Sequence, residues 1–239
     1  MVHVAVIGSG PSGVACTRAL VERGVKVTVL DIGEVLDTER KAIVERMKGQ
    51  AKWHWSVEDV RTITRNPTIF GSGVPRKVVF GSDFYFSKSD RHLPTDSTAG
   101  GGTSLCSAAL GGFSVAWGGA LLPIHEVDMS LWPFSRSELD RSYERVMRWI
   151  PLSARNDDQL AKVYPTYTNL MNPLNIPGQA NTFLTKLARA PALDGINRAF
   201  GQARLAIRTE ADDMGEGCCY CGLCLSGCVY GAIQEFGYI

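Results

Sequence analysis

Neither sign of charge dominates this chain: 25 lysines and arginines stand against 24 aspartates and glutamates, for a formal net charge of +1. That balance removes the electrostatic reason to expect nucleic acid or an anionic membrane surface as a partner. Histidine is sparse, and none of His3, His54, His92 and His125 sits in a recognisable catalytic context, so the catalytic base is unknown. The N-terminus lacks the basic, apolar and small-residue succession of a signal peptide, which makes the cytoplasm the default location. Long apolar runs are missing too. The one uncharged stretch long enough to mimic a membrane span, Ser97 to Ile124, carries seven glycines and six serines or threonines and reads as a buried loop system.

What is present is a globular composition, 45% hydrophobic and 21% charged, in 239 residues that suit one large domain or two small ones. Glycine is abundant, at 25 residues, as expected where backbone must approach another surface closely.

The opening residues read as a complete βαβ unit, which makes the fold class α/β. Apolar Val2 to Ile7 runs into Gly8-Ser9-Gly10-Pro11-Ser12-Gly13, then a helix to Arg23, a terminating Gly24, and a second apolar strand from Val25 to Leu30 that ends at Asp31. This chemistry needs Gly8 for the tight turn, Gly10 for backbone contact with a pyrophosphate, and Gly13 so that helix and strand can touch. Pro11 and Ser12 open the helix, whose N-terminus presents partial positive charge to phosphates. Asp31 stands eighteen residues after Gly13, near the ~20 expected of a carboxylate that binds ribose hydroxyls. It would repel a 2'-phosphate, so FAD or NAD is favoured over NADP.

Further along, Thr38 to Lys52 has helical composition with Ala42, Ile43 and Met47 on one side, and Arg65 to Phe86 reads as short strands broken by Gly71, Gly73, Pro75 and Gly81. Gly100-Gly101-Gly102 and the stretch from Leu110 to Gly119 are too rich in glycine for a regular element. Such a loop can lay bare backbone along an extended cofactor. Ser135 with Glu138 forms a capping-box pattern at the head of a helix running to Ile150, with Leu139, Tyr143, Val146, Trp149 and Ile150 as its apolar positions.

Cysteine is distributed unevenly. Cys16 and Cys106 stand alone, while Cys218, Cys219, Cys221, Cys224 and Cys228 fall within eleven residues. Cys218, Cys221, Cys224 and Cys228 have the C-x2-C-x2-C-x3-C spacing of a bacterial iron-sulfur run, with Val229 where the proline usually follows. A structural zinc site or free structural thiols remain open alternatives, and disulfides are the least favoured.

Together, Gly8 to Gly13 with Asp31-Ile32-Gly33, the Leu110-Gly111-Gly112-Phe113-Ser114 loop ending in Trp117, and Trp132-Pro133 followed by Leu139 and Tyr143 resemble the glucose-methanol-choline (GMC) oxidoreductase family. The resemblance implies a Rossmann-like FAD-binding domain with part of a substrate-side domain. It gives Gly111, Gly112 and Ser114 a place along the FAD pyrophosphate, with Trp117 closing that loop. Some relatives link FAD covalently through a histidine where this chain has Ala116, so dissociable FAD is expected. The cysteine segment is similar to that of FAD-dependent sugar dehydrogenases with a three-iron cluster, which implies Cys218, Cys219 and Cys224 as ligands with Cys228 in reserve, and leaves Cys221 for the other register. In the family the catalytic histidine lies in a C-terminal half that has no match here. The expectation is therefore the N-terminal part of a dehydrogenase, as a fragment, a truncation or a split subunit whose partner chain supplies the rest.

The implied organisation is an FAD-binding portion at 1–130, a helical and irregular substrate-side or cap portion at 131–214, and a cysteine segment at 215–239. The implied reaction oxidises a CH-OH group of a sugar or other alcohol and passes electrons through flavin and an iron-sulfur cluster to a cytochrome, quinone or other carrier. The rival expectation is a non-catalytic redox or scaffold subunit that holds FAD or a metal and completes an active site with a partner chain.

Overall fold

The computed structural model describes residues 2–65, 77–86, 106–167, 170–189, 199–213 and 215–237. Gly71, Gly73, Pro75, His92 and the Gly100 to Gly102 run lie outside the described residues. The chain divides into two compact units. The first comprises Met1–Gly118, Cys219–Gly231 and Glu235–Ile239, and the second Gly119–Cys218 and Ala232–Gln234. The cysteine segment is shared between the units, Cys218 falling in the second and Cys219–Gly231 in the first.

The first unit opens with β1 (His3–Ile7), α1 (Pro11–Val21) and β2 (Lys26–Leu30). The strands pair in parallel, from His3 opposite Lys26 to Ile7 opposite Leu30. Gly10 caps α1, and Pro11 takes the first helical position, where its missing N–H costs nothing. The helix ends at Val21, short of Arg23, because the amides of Arg23 and Gly24 tighten onto Leu20 and Val21 before Gly24 turns away at φ +73°. Among the described residues this sheet has two strands, and Val2, Ile7, Val29, Leu30 and Ile32 keep their apolar side chains exposed.

Two further helices pack together: α2 (Thr38–Lys48), capped by Asp37 on the Arg40 amide at 3.1 Å, and α3 (Val57–Thr64), capped by Ser56 on Asp59 at 3.0 Å. The expected continuation of α2 to Lys52 stops at Gly49, and Lys52–His54 is a separate 3-10 turn. Ile43 and Met47 are buried as expected, but Ala42 points to solvent, one position off that face. Ile43, Met47, Ile63, Val79, Phe80, Tyr85, Ala109 and Val229 form this unit's core. Of the strands expected in 65–86, the described part holds two isolated antiparallel bridges, Val79 with Ser82, closed by Phe80 and Gly81 at positive φ, and Phe86 with Ser107.

The second unit contains α4 (Arg136–Val146), β3 (Leu152–Ser153), β4 (Leu170–Met171) and α5 (Gly178–Arg189), with β3 and β4 parallel. The capping box is present, Ser135 N donating to Glu138 Oε2 at 2.7 Å. The helix stops at Val146, and Ile150 is buried beyond its end with Met129, Met147, Leu152, Ala206 and Ile207. Arg204, whose side chain is 1% exposed, is paired to Asp158 at 2.8 Å, and Asp158 also accepts from the Gln202 and Ala161 amides. No described helix is long and apolar enough to cross a membrane.

Candidate functional site

The glycine turn after β1 is the focus of the first unit. Gly8 lies at φ +94°, in the left-handed region that favours glycine, and its amide donates to Leu30 O at 2.7 Å, tying the turn to the end of β2. A Cβ on Gly13 would come within 1.9 Å of Gly8 O, so the first turn of α1 can lie on the strand end only without a side chain there. Gly10 has no capping side chain above it. The first amides of α1 therefore look out past bare backbone, with Pro11 and Ser12 exposed beside them.

The double-glycine loop comes to this turn. Gly111 at φ +90° and Gly112 at φ +61° start a 3-10 turn, Gly112–Val115. A Cβ on Gly112 would stand 3.1 Å from Gly10 Cα, and one on Gly111 would stand 2.7 Å from Gly237 N. Two backbones thus meet face to face at Gly10 and Gly112, with a third against Gly111. Ser114 is buried; its hydroxyl donates to Gly111 O at 2.7 Å and accepts from Phe236 N at 3.0 Å. Trp117 packs edge-on against Phe236 at 5.7 Å, and Lys77 Nζ donates to its carbonyl at 3.3 Å.

Asp31 joins the two loops through a residue that sequence reasoning passed over. Ser9 N and Oγ both donate to Asp31 Oδ2, at 2.6 and 2.7 Å, and Gly33 N donates to Oδ1 at 2.7 Å. The same Ser9 Oγ accepts from Gly111 N at 2.8 Å. Burial works against the Asp31 charge, but these donors outweigh it and hold the carboxyl below the usual carboxylate range. Oδ1 takes one donor here, which leaves it capacity for a ribose hydroxyl.

Residues 6–60 match the family description of an NAD(P)-binding Rossmann-like domain. This segment is a Rossmann-like dinucleotide-binding domain. Comparison with curated proteins gives no match. The Rossmann-like segment accounts for Gly8, Gly10, Gly13 and Asp31, while the Gly111 loop and Gly237 reach it from outside the matched residues.

Beside this domain a cavity of about 280 Å³ is walled by Val35, Leu36, Val79, Phe84 and Leu110, with Glu235 on its lining. Burial pushes the Glu235 carboxyl up to about 7. No motif pointed to this residue, since nothing in Ile233-Gln234-Glu235-Phe236 distinguishes a buried glutamate from a surface one.

Among the described residues, which include all of Cys218 to Cys228, no three Cys, His, Asp or Glu side chains gather into a group that could hold a metal. Neither expected ligand set, Cys218, Cys219, Cys224 and Cys228 nor the register using Cys221, converges on a centre. Cys218 belongs to the second unit, where its amide donates to Arg208 O at 2.9 Å, while Cys224 is exposed and lies near the Lys77 ammonium. Spacing alone makes convergence possible without enforcing it. As placed, these side chains fit neither an iron-sulfur cluster nor structural zinc.

Proposed function

We propose that this chain is the FAD-binding part of a GMC-type oxidoreductase that removes hydride from the CH-OH group of an alcohol or sugar. The observation that supports this reading most is the meeting of the two glycine loops through Ser9 and Gly111. A dinucleotide fold needs only the first loop; a second bare backbone laid against it suits a longer cofactor. In this reading the first-turn amides of α1 would hold the pyrophosphate, and Gly111 and Gly112, their own amides given to Ser9 and Ala109, would brace the turn at Gly10 from behind. Asp31 would accept from the ribose hydroxyls through Oδ1, and Ser114 keeps the loop in place through Gly111 and Phe236. The flavin, when bound, supplies hydride acceptance and one-electron release.

Ala116 in place of a linking histidine supports dissociable FAD. The acceptor is a soluble or membrane-bound carrier such as a cytochrome or quinone. A rival reading, a scaffold subunit that needs a partner chain for its base, draws on the histidines: His3 is engaged with Thr28 at 2.9 Å, and His125 Nδ1 accepts from Val127 N within its own turn at 3.2 Å.

Titration calorimetry with FAD and with NAD tests the binding step, and a screen of alcohols and sugars with an artificial electron acceptor tests the reaction. FAD binding with turnover supports the first reading. FAD binding without turnover, restored by a second polypeptide, supports the rival, and tighter binding of NAD contradicts both.

A further inference from the structure

The cavity of about 280 Å³ lies within the first unit and takes no part in the dinucleotide reading. Helical period turns one side of α2 toward it: Lys41, Val44, Glu45 and Lys48, at i, i+3, i+4 and i+7, line the cavity, while Ile43 and Met47 belong to the core. Its floor is apolar, with Val79, Phe80 and Val229 buried and Phe84 and Val115 half-buried. Its rim is open, since Glu34, Val35, Lys41, Glu45 and Lys48 are all exposed. Glu235 also lines it and, unlike Glu34 and Glu45, is half-buried.

The size suits one ring on a short chain and excludes a dinucleotide, because ligand sites usually span ~300–1,000 Å³. The charged groups that face the cavity are Glu34, Glu45 and Glu235 against Lys41 and Lys48, and Cys228 is a further titratable group on its lining. Three carboxylates against two ammonium groups leave one negative charge, which a monocation cancels and an anion doubles. The exposed rim charges are screened by water and salt. The Glu235 carboxylate, set against apolar walls, is poorly solvated and gains most from a counter-ion. The rings of Phe80 and Phe84 on the lining suit an apolar, aromatic body.

We infer that this cavity binds a small organic monocation, an ammonium group on an aryl or alkyl body, with Glu235 as its counter-ion and the apolar floor against its body. The site and its ligand are independent of the flavin reading.

The test is calorimetric titration of the purified chain with phenethylammonium, phenethyl alcohol and hydrocinnamate, which are close in size and differ in charge. The ammonium binds tightest and the anion weakest. Glu235→Gln keeps the shape of the side chain and weakens the ammonium about tenfold or more, while leaving the alcohol unchanged. Val44→Phe fills the cavity and weakens the ammonium and the alcohol alike. Burial pushes the Glu235 carboxyl up to about 7, so below that pH the ammonium must displace a proton. Wild-type affinity for the ammonium therefore rises with pH to about 7 and levels off above it, and Glu235→Gln lacks that dependence. The order of the probes on the wild-type chain keeps the test valid if a variant misfolds. Alcohol or anion bound as tightly as the ammonium, no binding of any probe, or ammonium binding equal in wild type and Glu235→Gln overturns the inference.

Discussion

Ser9 gives both its amide and its hydroxyl to one oxygen of Asp31, at 2.6 and 2.7 Å, and with the same hydroxyl receives the Gly111 amide at 2.8 Å. One side chain therefore joins the glycine turn, the end of β2 and the second glycine loop. Ser9→Ala leaves the Gly111 amide without its partner in a buried position, which costs about 1–2 kcal/mol. The urea midpoint falls accordingly, with an unchanged slope. A midpoint equal to wild type would show that the hydroxyl bridges nothing of consequence.

Asp31 carries a pH signature of its own. Its carboxyl sits below the ordinary value of 3.8, so its contribution to stability is present above that value and is lost as pH falls through the lower folded one. In acid titrations of stability, Asp31→Asn has a shallower decline at the acid end than wild type. Parallel curves would mean the carboxylate gains nothing from Ser9 and Gly33.

Gly13 and Gly10 separate folding from binding. A methyl on Gly13 collides with Gly8 O at 1.9 Å, and Gly13→Ala costs about 3 kcal/mol, the upper end for overpacking. A methyl on Gly10 meets Gly112 Cα at an ordinary 3.8 Å, and Gly10→Ala changes stability by no more than about 0.5 kcal/mol. It projects where the two loops meet, so it weakens dinucleotide binding. Thermal unfolding and calorimetry on the same two proteins check both halves, and equal stability losses in the two would contradict the assignment.

The βαβ unit was legible because each of its signals is local: apolar runs, a glycine turn at fixed spacing and an acid at the next strand end. The capping box at Ser135 was equally legible, for the same reason. Ser9 was not, because its value depends on Gly111, 102 positions away, and no spacing encodes that meeting. The cysteines show the opposite failure. Their spacing has a strong local meaning, but spacing does not decide where the side chains point, and among the described residues no three of them gather. Glu235 was illegible because burial of a carboxylate is decided by what packs over it.

That carboxyl gives a further expectation. Its folded value of about 7 lies above the ordinary 4.5, so folding binds the proton more tightly than the unfolded chain does. Stability is fully present below about 4.5 and declines as pH rises toward 7. Glu235→Gln removes that decline and is relatively more stable than wild type at neutral pH. A wild-type curve that rises across this interval, with the variant following it, would place the carboxyl in solvent.

The most direct test of the central reading is flavin content. The purified chain is reconstituted with FAD, freed of excess ligand, examined by visible absorption and then precipitated with acid. The account predicts one flavin per chain, released into the supernatant because Ala116 offers no linking histidine, and lost in Gly10→Val. Protein that retains no flavin, or that retains it equally in Gly10→Val, would contradict the account.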